Sequence, residues 1–143
     1  MKVAQAIMER ASRGELAKRT LITSWSKLVT YCRLSMAHEP REQLRVLFLD
    51  SKNQLIADEI MNQDAVDHAP VYPRALARRA LELSAASVIL VHNHPSGDPK
   101  PFAADLAVTR DIVAAAEMIS VKVHDHLVMG RDGVASFNSL GLL

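Results

Sequence analysis

The sequence predicts a mixed α/β domain: a mixed central β-sheet flanked by helices. Three observations predict it. LRVLFLD (44–50) and SVILV (87–91) are short apolar runs that read as buried strands. Segments with helical period stand around them. After two N-terminal helices the order is β-β-α-β-α-β-β, which packs helices onto a sheet. A length of 143 residues suits one domain, and 49% hydrophobic with 23% charged residues argues against disorder or coiled coil as the main state.

Taken in order, residues 1–19 place Val3, Ala6, Ile7 and Ala11 near a 3.6-residue period, with Gly14 as a break. Lys2, Arg10, Arg13, Lys18 and Arg19 outnumber Glu9 and Glu15, as on a solvated amphipathic helix. The expected organisation is an N-terminal helical extension over 1–21 and a domain over 22–143. Ser24 or Ser26 caps a second helix that runs to about Ala37, with Trp25, Leu28, Val29, Cys32 and Met36 on one side. Trp25 and Cys32 are read as core. Pro40 interrupts before the first strand. SKNQ is a polar turn, and LIADEIM (55–61) completes a hairpin. Residues 62–72 read as loop, and Pro73 opens the helix RALARRALEL. Behind SVILV, SGDPKP (96–101) is a turn-rich loop, followed by a helix over about 103–118. VKVHDHLVM (121–129) alternates as a strand, residues 130–133 turn the chain, and GVASF forms an edge strand.

Composition removes several function classes. Cys32 is the one cysteine, so neither an intrachain disulfide nor a multi-thiolate zinc site can form. Seventeen basic against sixteen acidic side chains and 4% aromatics provide no basic stripe and no stacking platform, so nucleic acid is not indicated as a partner. Charges break the first nineteen residues, and no apolar run approaches ~18 residues, which points to a cytoplasmic chain without a membrane partner. Ser96 follows His-Pro in a turn and lacks the G-x-S-x-G elbow of a serine hydrolase. The P-C-x-x-C of a zinc deaminase is missing. His38-Glu39-Pro40 opens like HExxH, but the second His is absent and Pro bars the helix that motif requires.

The chemistry concentrates in His92-x-His94 at the end of a buried strand, with Asp105 in the first turn of the next helix. Side chains two apart on a strand share a face, so both imidazoles can reach one ion. Two His and a carboxylate form a known catalytic zinc set with a fourth position open to water. A metal there lowers the pKa of that water toward ~7. His124-Asp125-His126 is a second pair on a strand, able to hold its own ion or to support the first site through outer hydrogen bonds.

HNHPSGDPKPFAAD behind SVILV resembles the JAMM metalloprotease signature of JAB/MPN domains: an upstream Glu, His-x-His-Pro, a spacer, then Ser-x-x-Asp. It is most similar to the bacterial RadC family, whose motif reads HNHPSG-x-P-x-PS-x-x-D. FLDSKNQLIADE, VYPR, ALELSAASVILVHNHPSG and VHDHLVMG carry the same resemblance over about residues 22–143. The resemblance implies a JAB/MPN, cytidine-deaminase-like fold and a JAMM-type zinc metallopeptidase with one Zn2+ per chain and a peptide or isopeptide substrate. His92, His94 and Asp105 match the zinc ligands. Glu42 matches the upstream acid that would hydrogen-bond the water and pass its proton to the leaving amine. Glu59 is the other candidate, and Glu42 is preferred because it holds the family's helix-to-strand position. Asp125 and His126 match a supporting Asp-His. Phe102 departs from the motif Ser, which helps stabilise the oxyanion; Asp64-Ala65 and Ala75 depart from the family's Gly-Thr and Glu. The alternative these departures open is a non-catalytic, metal-stabilised binding domain associated with DNA repair or mobile-element functions.

Overall fold

Strands that are apolar on both faces need helices on both faces, and this chain supplies them. The computed structural model describes residues 25–36, 39–63, 71–95, 103–131 and 133–143. The elements there are α1 (Trp25–Met36), β1 (Gln43–Leu49), β2 (Leu55–Gln63), α2 (Val71–Leu83), β3 (Ser87–Asn93), α3 (Ala103–Met118), β4 (Lys122–Met129) and β5 (Val134–Ser136). The strands form one mixed sheet in the order β2-β1-β3-β4-β5, parallel only between β3 and β4. The helix expected over 1–19, the extension over 1–21, the Trp25 side chain, and His38, Asp64, Ala65, His68, Ser96 and Phe102 lie outside what is described.

Alternation along β1 and β3 divides the core in two. Leu47, Leu49, Ile89 and Val91 face α1, meeting Leu28, Tyr31, Cys32 and Met36. Val46, Phe48, Val88 and Leu90 face the other way, against Leu76 and Ala80 of α2 and Ile112 and Ala116 of α3. Burial pushes the Cys32 thiol up to about 12, with the nearby Asp58 charge adding to the effect. Cys32 is buried in the core under α1, where its thiolate form is disfavoured.

The face under α1 holds a buried ionic cluster. Arg45 on β1 donates to both carboxylate oxygens of Asp58 on β2, at 3.0 and 2.9 Å, and to the Ser35 carbonyl at the end of α1 at 3.2 Å. The Tyr31 hydroxyl donates to the same carboxylate. This cluster ties α1 to the sheet's edge pair.

Several boundaries differ from the sequence reading. β3 continues through His92 and Asn93, because β1 pairs with it as far as His92 and β4 as far as Asn93. β2 extends to Gln63, opposite Gln43. α2 begins two residues before Pro73, which its first turn tolerates because N–H groups there have no intrahelical acceptor. α2 and α3 each end on a serine in the left-handed region, Ser84 at φ 53° and Ser120 at φ 59°. The closing bonds run from Ala85 N–H to the Ala80 carbonyl and from Val121 N–H to the Ala116 carbonyl, each at 2.9 Å. Among the described residues no helix is long and apolar enough to cross a membrane.

Candidate metal centre

β3 delivers His92 on the face shared with Val88 and Leu90, toward α2 and α3. His94 lies one residue beyond the strand and is 3% exposed. Its N–H donates to the Met129 carbonyl at 2.9 Å, so β4 fixes the chain where Pro95 ends the ladder. The two imidazole rings stand edge to face with centroids 5.1 Å apart. Glu42 approaches from the residue before β1, its Oε1 3.3 Å from His92 Nε2.

Glu42, His92 and His94 each offer one ligand atom, all within 4.8 Å of one another. The donor set suits zinc, which takes imidazole nitrogen and carboxylate oxygen at ~2.0–2.2 Å. Asp105 lies near the start of α3, the helix that follows His94 in the chain; its side chain is outside what is described.

Glu59, the other upstream acid, is engaged elsewhere. Arg79 of α2 donates to both its oxygens at 2.7–3.0 Å, an ion pair that binds α2 to β2.

The second His pair separates. Val88 pairs with Val123 but Ile89 pairs with Asp125, so His124 is an extra residue in a bulge. The bulge breaks the two-residue alternation expected there. His124 Nε2 bonds Asn53 Oδ1 in the β1–β2 turn at 3.1 Å. His126, opposite Leu90, turns to the other side, where its Nδ1 lies 2.6 Å from the Thr109 hydroxyl of α3. Its ring stacks on Phe137 at 4.4 Å and lies 6.0 Å from the ring of His92. Asp125 shares the face of Ile89, and its carboxylate is directed to β5: it accepts from Ser136 Oγ at 2.6 Å and from Asn138 N–H at 3.0 Å. Of these three residues, His126 is the one whose ring lies beside His92.

Burial, reinforced by Lys122, holds the His124 imidazole below the ordinary histidine range. The unfolded chain therefore takes up a proton that the folded chain resists. This contribution to stability is complete above the unfolded pKa of ~6.5 and is lost as pH falls from there through the lowered folded value. The urea midpoint is expected to drop on acidification below about pH 6.5, with a shallower drop in His124→Gln. Equal slopes for the two proteins would refute the assignment.

One residue that the sequence reading treated as a spacer organises the approach of Glu42. Asn93 is 3% exposed. Its Oδ1 accepts from Gln43 N–H at 2.7 Å, and its Nδ2 donates to the carbonyls of Arg41 at 2.9 Å and Glu39 at 3.3 Å. Its position in a buried strand end, inside a polar triplet, was the one available signal.

A family model described as a RadC-like JAB domain matches residues 22–142. The chain belongs to the RadC-like JAB domain family. It is also 52% identical over 143 residues to a UPF0758 protein of Rhodobacter capsulatus, a match that covers 100% of this chain and 67% of that protein. The mixed sheet and its covering helices are those expected of this family's fold.

Proposed function

We propose that this RadC-like domain is a zinc-dependent hydrolase of peptide or isopeptide bonds, holding one ion per chain. The observation that carries the reading is the convergence of Glu42, His92 and His94 within ligand range at one end of the sheet. His92 and His94 hold the ion together with Asp105, the ligand that the family motif supplies. When bound, the ion acidifies a coordinated water and polarises the scissile carbonyl. Glu42, half-buried and beside His92, accepts the proton of the attacking water and returns it to the leaving amine. His126, fixed by Thr109 and Phe137, stands beside the His92 ring and supports the site from the side of α3 and β4.

A second reading rests on Phe102, which stands where the motif has Ser. A phenyl ring donates no hydrogen bond to an oxyanion, so the domain could hold metal without efficient turnover.

Metal content tests the shared part of both readings. Elemental analysis of the purified protein is expected to give about one zinc per chain, with clear loss in His92→Ala and in Asp105→Ala. A stoichiometry unchanged in both variants would refute the site.

A further inference from the structure

We propose that Asn93 is a positioning residue for Glu42; the inference rests on the metallohydrolase reading and identifies what aims its acid. Glu42 precedes β1, and the β1–β3 ladder begins only at Leu44 opposite His92. Backbone pairing with β3 therefore does not reach the residue that carries the acid. The Asn93 side chain continues the pairing where the backbone stops. Its three bonds, at 2.7, 2.9 and 3.3 Å, fall on Gln43, Arg41 and Glu39, so they bracket Glu42 from both sides.

The chemistry selects asparagine. A carboxamide offers an acceptor and two donors from one short side chain, and all of these functions are used here. Aspartate keeps the acceptor and loses both donors. Alanine loses everything. The partners are backbone groups fifty or more positions away, so the bonds fix the arm's path irrespective of its side chains. Strand alternation then gives His92 and Asn93 separate tasks. His92 faces the ion, and Asn93 anchors the arm that brings the carboxylate to it. Misplacing a catalytic group by ~1 Å can cost about 10²-fold in rate, which is the scale on which such an anchor acts.

The test uses the full chain with Asn93→Ala and Asn93→Asp, each alone and combined with Glu42→Gln. In the metal-free protein, amide hydrogen exchange at residues 39–43 is expected to rise about tenfold or more in Asn93→Ala while β1 beyond Leu44 keeps its protection. Asn93→Asp, which retains the acceptor for Gln43, is expected to loosen Glu39–Glu42 and spare the Gln43 amide. With Co2+ as the probe, the visible spectrum of Asn93→Ala is expected to shift as that of Glu42→Gln does, with no further shift in the double variant. Unchanged exchange over 39–43, or spectral shifts that add, would overturn the proposal. A wild-type chain that takes up no Co2+ or Zn2+ overturns the metallohydrolase reading instead, and the exchange experiment then still decides whether Asn93 holds the arm.

Discussion

Asp58→Ala is expected to destabilise the protein by about 3–5 kcal/mol, the cost of removing one partner from a buried ion pair. The Asp58 side chain is fully buried, and that of Arg45 is 12% exposed. Removing the carboxylate leaves the guanidinium with its bond to the Ser35 carbonyl, and it takes the acceptor from the Tyr31 hydroxyl. The guanidinium and the Tyr31 hydroxyl both sit between α1 and the sheet, where water reaches them poorly. Domains of this size are stable by roughly 5–15 kcal/mol, so the loss is a large share of the total. Urea denaturation would measure it as a lower midpoint at unchanged slope. Pairing the change with Arg45→Met should restore much of the loss, because an apolar replacement removes the stranded charge. A loss below about 1 kcal/mol would show that solvent, and not Asp58, satisfies Arg45.

Phe102→Ser is expected to raise hydrolysis by about 10²–10³-fold at unchanged zinc content, the usual worth of one oxyanion donor. The motif places a hydroxyl at this position, three residues before Asp105. The gain should fall on kcat, because the charge it meets develops only in the transition state. Initial rates on a panel of peptide and isopeptide conjugates would show it. Equal rates for both proteins on every conjugate would remove the oxyanion role from position 102.

Local signals made the architecture legible. LRVLFLD and SVILV are too short and too uniformly apolar for surface helices, and they became the central strands β1 and β3. The polar SKNQ turn closes as expected: Asp50 Oδ1 accepts from Lys52 and Gln54 N–H, and Asn53 takes φ 60°. His92 and His94 announced themselves by spacing. What stayed hidden depends on register and on distant partners. Nothing in VKVHDHLVM marks His124 as the bulged residue, so the alternation rule put both of its histidines on one face. Ser84 and Ser120 end helices in a conformation that glycine usually signals. Asp58 looks like a surface acid within LIADEIM until Arg45 and Tyr31 are brought to it from 13 and 27 positions away. Asn93 reads as a spacer because its partners lie back before β1.

The ladder between β1 and β3 has a consequence for when the Glu42–His92–His94 cluster can form. Glu42 and His92 come together only when strands separated by the whole of β2 and α2 have zipped, and His94 is held by a carbonyl still later in the chain, at Met129. Closing such long loops costs entropy before any ligand geometry exists to reward it. A chain still emerging from the ribosome thus cannot assemble the cluster until residues through β4 are out. Any ion that this cluster takes would then meet a sheet already zipped through β4.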